Sequence, residues 1–403
     1  MDDEEVERII EGYKSEIIES MKGMISIRAV SPYSGGEGEY ERALYLEGLI
    51  KKIGLEPKLY AYKDTTGHIR PNITAKYGDA KGKRTLWVIA HIDTVSEGDA
   101  SLWKYAPFKA TVVGDRVYGR GTSDNGQDVI AAIYALKALA KSKARTKYAF
   151  GIALVADEEV GSVYGIQKLL KEKIFEKNDL ILVPDWGVGK ADKIEIAEKG
   201  ILWLKITVFG KQVHASTPQL GINAQRYMIR FLERADSVLH RKYAGRNGIF
   251  DPNVSTFEMT KHEKNVDSIN IIPGVEVAYL DCRILPEYSI DSVIKSLQSI
   301  AMERDFKPVK IKIEVVNRED SAKPTSADAP VVLLLMNALA KLGVKRATVT
   351  GIGGGTCASF FRKAGFQAAV WSKASGPAHE PNEYALISNI LFDAKTFALM
   401  ALG

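Results

Sequence analysis

Three apolar runs in this chain each break off at a residue suited to binding a divalent metal. TLWVIA (85–90) runs into His91, YAFGIALVA (148–156) into Asp157, Glu158 and Glu159, and LILV (180–183) into Pro184 and Asp185. Short, evenly apolar runs are strands buried on both faces. Between them the spacing turns helical, with Val129, Ile133, Leu136 and Ala140 after Asp124, then Val163, Ile166, Leu169 and Leu170. Such alternation predicts an α/β fold, a mainly parallel sheet covered by helices on both faces. An amphipathic helix over the opening 30 residues, with Val6, Ile9, Ile10, Tyr13, Ile17 and Ile18 near helical spacing, precedes it.

The middle of the chain has a different rhythm. ILWLKITVFG (201–210) alternates like a half-exposed strand, and a helix of about 20 residues follows from Gly221. Strands around 253–260 and 274–284, a helix near 289–304 and the strand KIKIEVV (310–316) complete a β-α-β-β-α-β order. That order predicts a four-stranded α+β, ferredoxin-like sheet with both helices on one face. From about 320 the first pattern resumes with APVVLLLMNALAKLG, ATVTGIG, a further helix and QAAVWSK. The expected organisation is a catalytic domain made of 1–198 and 318–403, interrupted by a smaller domain at 199–317.

With 403 residues, 46% hydrophobic and 26% charged, the chain can bury more than one core. The net charge of +5 is spread along the length with no basic block, which argues against a nucleic-acid partner. MDDEEVERIIEGY is acidic where a signal peptide is basic, and no run reaches 18 apolar residues, so a cytoplasmic protein with no membrane partner is expected. Two cysteines, Cys282 and Cys357, make no disulfide framework.

In a parallel sheet, ligands gather beyond the carboxyl ends of the strands. His91, Glu159 and Asp185 stand there after separate strands, Asp124 opens a helix, and His379 follows the last strand. Singly, each has a plainer reading: a histidine hydrogen-bonding its own fold, acids in a first helical turn, an aspartate N-cap. Together they supply the two imidazoles and three carboxylates of a two-metal centre, and three ionised carboxylates with a hydroxide balance two divalent cations. One carboxylate must bridge ions about 3.5–4 Å apart, and Asp124 is the best placed. Asp93 would accept the other ring N–H of His91. Glu158 cannot share the direction of Glu159, and carboxylate neighbours would raise its pKa toward that of a working general base.

The segments HIDTV, GRGTSDNG, ADEEVGS, VPDWG, VHASTPQLGINA and AHEPNEY resemble, in order, the motifs of the metallopeptidase and deacylase family. That family includes aminoacylase-1, succinyl-diaminopimelate desuccinylase, acetylornithine deacetylase, carnosinase and the glutamate carboxypeptidases. The resemblance covers nearly the whole chain. It implies a zinc-peptidase α/β domain with a lid domain through which a homodimer forms, and two Zn²⁺ per subunit, with Co²⁺ or Mn²⁺ as substitutes. His91 and Asp185 would hold one ion, Glu159 and His379 the other, and Asp124 would bridge them across a cis Asp124–Asn125 bond. Glu158 would be the general base and Asp93 the orienter of His91.

The resemblance further implies that His214 stabilises the oxyanion and that Arg283, with Asn270 in the neighbouring segment, meets the substrate carboxylate. Gly353, Gly354, Gly355 and Thr356 would line the substrate pocket, with Cys357 packing beside them. Asp185 is aspartate where many deacylases and carboxypeptidases of the family have glutamate, a choice more typical of its aminopeptidases and dipeptidases. The expected reaction is amide hydrolysis in a small peptide or an N-acyl amino acid.

Two other classes compete. A binding protein that kept the fold and lost catalysis would have no reason to retain all five ligands and the base. A nucleotide-binding oxidoreductase built on GIGGGT lacks the lysine of a P-loop and does not complete GxGxxG. It would also leave the carboxylates unexplained.

Overall fold

The structure is a computed structural model describing residues 3–78 and 84–403. The chain forms two compact units: Met1–Ile196 with Pro324–Val349 and Thr356–Gly403, and Ala197–Lys323 with Thr350–Gly355. The second is slightly wider than the expected insertion, and it also takes in most of the glycine turn.

An eight-stranded sheet, in the first unit apart from the last residues of its final two strands, runs in the order Lys58–Lys63, Ile69–Tyr77, Ala149–Val155, Thr85–His91, Leu180–Gly187, Ala368–Ser372, Lys193–Glu198, Thr348–Ile352. The four central strands are parallel. Lys58–Lys63 and Ile69–Tyr77 join antiparallel on one side, and Lys193–Glu198 on the other. Periodicity gave no sign of Ile69–Tyr77, because Arg70, Asn72 and Thr74 interrupt its apolar pattern although all three are buried.

Both faces of the central strands are covered, as an unbroken apolar run requires. Along Thr85–His91, Leu86, Val88 and Ala90 join one core with the helices Gln127–Lys141 and Ile387–Leu402, while Trp87 and Ile89 join a second with Phe175, Phe361 and Val370. Removing such side chains from water stabilises by roughly 1.5–3 kcal/mol each. The opening helix is in fact two, Asp3–Gly12 and Lys14–Ile25, parted at Tyr13 (φ −88°, ψ 2°). Val163, expected on a helix, is half exposed and precedes the helix Ile166–Leu169.

The second unit holds an antiparallel sheet in the order Thr256–His262, Val275–Ile284, Gly200–Phe209, Lys310–Glu319. In chain order that is second, third, first, fourth, the split-βαβ arrangement. Ala278, Leu280, Cys282 and Ile284 face the helices Ala224–Lys242 and Ile290–Ala301, while Tyr279, Asp281 and Arg283 alternate onto the opposite face. Among the described residues, no helix is long and apolar enough to cross a membrane.

Candidate metal centre

Register sets the first half of the site. His91 pairs with Val155 across parallel strands, and the Ile92 N–H donates to Val155 O at 2.9 Å, so the His91 ring and the turn after Val155 reach the same end of the sheet. Asp157 turns that segment through a left-handed conformation (φ 69°), and Glu158 and Glu159 open a single 3₁₀ turn. Asp185 lies near the carboxyl end of Leu180–Gly187, one strand over.

Asp124 sits in the turn Thr122–Gly126, and its peptide bond to Asn125 is cis. The Asn125 carboxamide donates to Pro184 O at 2.6 Å and reaches Asp185 Oδ1 at 3.4 Å, tying this turn to the Asp185 strand. His379 comes from the loop after Ala368–Ser372, in the left-handed region (φ 59°).

The two oxygens of Asp124 point to different histidines. Oδ1 lies 2.8 Å from His91 Nε2, and Oδ2 lies 3.0 Å from His379 Nε2. Asp185 Oδ1 is 3.4 Å from His91 Nε2, and Glu159 Oε2 is 3.1 Å from His379 Nε2. The structure thus assembles His91 with Asp185 on one side of Asp124 and His379 with Glu159 on the other. Donor atoms of His91, Asp124 and Glu159 all lie within 4.8 Å of one another, as do those of His91, Glu158 and Asp185.

The titration of these groups points the same way. Burial would depress His91, but the Asp185 charge and the bonds to Asp124 and Asp185 raise its pKa well above the usual value. Bonds to Asp124 and Glu159 push His379 up to about 10. Burial would raise Asp124, yet bonds from His379 and His91 hold it below the carboxylate range. Glu159 and Asp185 are raised chiefly by burial. A donor set this short of positive charge retains protons on atoms whose lone pairs a divalent cation would take, so the residues fit a metal pair.

Glu158 is raised well above its ordinary value, first by burial and then by the Asp185 charge, the environment of a carboxylate suited to moving protons near neutrality. Asp93 does something the sequence did not suggest. The Nδ1 atom of His91 has its nearer acceptor in the backbone carbonyl of Asp93, at 3.1 Å, with the carboxylate at 3.5 Å. That carboxylate instead accepts the N–H groups of Glu158 at 3.0 Å and Glu159 at 3.1 Å, donors a 3₁₀ turn leaves without partners of its own.

A buried guanidinium fixes the same turn from behind. Arg70 pairs with Asp157 at 3.0 Å and Glu39 at 2.8 Å, and Asp157 Oδ2 accepts the Tyr164 N–H at 2.9 Å. Arg70 went unnoticed because an arginine in a strand ordinarily reads as surface.

The family model for peptidase family M20/M25/M40 matches residues 87–403. An uncharacterized metallohydrolase of Methanococcus maripaludis is 36% identical over 405 residues, covering 95% of this chain and 97% of that protein. This chain belongs to the M20/M25/M40 peptidase family. It is also similar to the succinyl-diaminopimelate desuccinylase of Orientia tsutsugamushi, 25% identical over 385 residues, 94% of this chain and 93% of that one. Human carnosine dipeptidase 1 shares the fold, with a TM-score of 0.76, 16% identity and coverage of 99% and 98%. The family uses a dinuclear metal site, and this chain is an M20 metallohydrolase.

The other expected site residues of this M20 chain lie mainly in its second unit. His214 ends the short strand Val213–His214, paired with Ile271, and Ala215 N donates to Asn270 O at 2.8 Å, so His214 and Asn270 are neighbours. The backbone N–H of Ser216 donates to His214 Nδ1 at 3.1 Å. An Nδ1 that accepts leaves Nε2 as the ring's donor.

Arg283 lies toward the opposite end of Val275–Ile284 from that pair. It is gripped by Asp281 at 2.6 and 2.9 Å and donates to Gly353 O at 2.9 Å. Gly354 and Gly355 are exposed, and a Cβ on Gly355 would meet the Glu319 carboxylate at 2.9 Å. Thr356, in the first unit, accepts the Ala358 N–H at 3.1 Å as the N-cap of Cys357–Lys363, which gives its hydroxyl a structural task. Cys357 is buried in the core beside it.

Proposed function

We propose that this M20 metallohydrolase uses a pair of divalent ions, zinc foremost, to cleave the amide bond of small peptides, as a dipeptidase, aminopeptidase or carboxypeptidase. The observation that carries this reading is the two-sided Asp124, each oxygen directed to a different histidine with its own carboxylate partner. His91, Asp185 and Asp124 would hold one ion, and Glu159, His379 and Asp124 the other. Ions held there would polarise the scissile carbonyl and make a water acidic enough to attack it.

The chain's own residues do the rest. Glu158 takes a proton from the attacking water and delivers it to the leaving amine, restoring its carboxylate. Asp93, by accepting the N–H groups of Glu158 and Glu159, keeps both side chains aimed as that proton moves. His214 Nε2–H is the donor offered to the developing oxyanion. Arg283 would meet a free substrate carboxylate by exchanging part of its grip on Asp281. Thr356, expected to line the substrate pocket, is better regarded as the cap of its helix.

A second reading has its own support. The similarity to a succinyl-diaminopimelate desuccinylase favours an N-acyl amino acid as substrate, whereas aspartate at position 185 favours a peptide. A panel of dipeptides, tripeptides and N-acetyl and N-succinyl amino acids, tested with zinc-loaded protein, decides between them. Turnover of peptides is expected, and exclusive deacylation would overturn the peptide reading. The soluble homodimer implied by the resemblance is part of the same proposal, with sedimentation as its measurement.

A further inference from the structure

His379 is carried by a loop without regular secondary structure between the strands Ala368–Ser372 and Tyr384–Leu386. Its side chain is about half exposed, at 53%, so packing does not hold the ring in place. Asp393 and Asn389 hold the loop's start, through Lys373 N at 3.1 Å and Ser375 Oγ at 3.1 Å, and two consecutive residues hold its end, next to His379. Asn382 Oδ1 accepts the Lys104 N–H at 2.6 Å, and its Nδ2 donates to Leu102 O at 2.9 Å. Glu383 is wholly buried and faces the segment that carries Asp124.

The Glu383 carboxylate accepts four donors from that segment. Oε2 takes Arg120 Nη1 at 2.6 Å and Gly121 N at 3.0 Å, while Oε1 takes Ser123 N at 2.8 Å and Asp124 N at 3.1 Å. The Glu383 backbone carbonyl accepts Gly119 N at 3.0 Å. Successive N–H groups pointing one way form a nest for an anion, here filled by a side chain from far along the sequence. One carboxylate therefore joins the backbone of Asp124 to the loop of His379, two residues whose side chains meet at 3.0 Å.

We propose that Glu383 is a positioning residue that sets the separation of Asp124 and His379 and so builds the metal position they share with Glu159. The inference rests on the two-metal reading above. A carboxamide of the same shape has one acceptor oxygen and adds an NH₂ facing N–H donors, so it leaves part of the nest unpaired inside the protein.

The test is a zinc titration of metal-free protein against a competing chelator, for wild type and Glu383→Gln, with thermal melting of the metal-free forms alongside. Wild type should take up two ions. Glu383→Gln should bind one of them roughly 10–100-fold more weakly, the loss typical of removing a group that orients a metal ligand, and Glu383→Asp should recover part of it. A role confined to stability would lower the melting temperature and leave both affinities intact well below the melt, and that result overturns the proposal. If Glu383→Gln does not fold, Glu383→Asp is read by the same titration, and unchanged affinity there overturns it equally. Wild type that takes up fewer than two ions overturns this inference and the two-metal reading together. Wild type that takes up two ions but hydrolyses no amide overturns the proposed function alone.

Discussion

The residues expected at the metals and those expected at the substrate are held in opposite ways. In the first unit, His91, Asp93, Glu158, Glu159 and Asp185 sit at or just past the ends of buried strands and Asp124 in the turn before a buried helix, and backbone N–H groups, Asn125 and the Arg70 network fix them, with the half-exposed His379 on its loop as the exception. In the second unit, His214 and Asn270 are exposed, as are Gly354 and Gly355, and Arg283 is half-buried with Asp281 as its partner. Clustered buried carboxylates are costly unless geometry and counter-charge are built together, so a metal centre needs a rigid surround. Groups that must meet a substrate have to stay within reach of solvent. Variants of the first kind should therefore alter metal binding or the chemical step, and variants of the second kind only substrate turnover.

The sharpest way to break that contrast is Glu158→Ala. A general base contributes typically about 10²–10⁴-fold, so turnover should fall at least that far while two ions still bind by elemental analysis. Retained activity would remove Glu158 from its role. His214→Ala comes next: kcat should fall roughly 10²–10³-fold, as when an oxyanion donor is lost, with metal content and melting temperature unchanged. A loss of zinc on this substitution would mean that the two regions are not separable.

The dependence of zinc affinity on pH sharpens the comparison from the metal side. His379 titrates at about 10 in the metal-free protein, so it carries a proton throughout the neutral range that must leave before Nε2 accepts a cation. Affinity should accordingly rise with pH up to that value, by about tenfold per pH unit for each proton displaced. Calorimetry in buffers of different ionisation enthalpy would count the protons released. Affinity independent of pH would contradict the protonated His379. The smallest effect is expected for Arg283→Lys, about tenfold or less in KM for substrates with a free carboxylate, or about 1.4 kcal/mol. Steady-state kinetics on a carboxylate substrate and its amide would show whether Arg283 reads that group.

Most of the first unit's centre was legible in the chain, because an unbroken apolar run predicts a doubly covered strand, and a polar residue ending it lies at the strand's carboxyl end, where ligands gather. That places His91, Glu159 and Asp185 together with no knowledge of the turns. Ile69–Tyr77 was not legible, since its buried Arg70 and Asn72 are solvated by the protein rather than by water, which no local pattern reveals.

The amino-acid sequence alone determined the alternating strands and helices, the inserted split-βαβ order and the candidate metal-binding side chains, since each follows from residue type and local period. Only the tertiary structure decided which oxygen of Asp124 faces which histidine, that the Asp93 carboxylate serves the backbone of Glu158 and Glu159, and that Glu383 fills a nest built around Gly121. Those arrangements depend on hydrogen bonds between segments as much as 263 residues apart. Such bonds are directional and short-ranged, so they exist only once packing has brought the loops together.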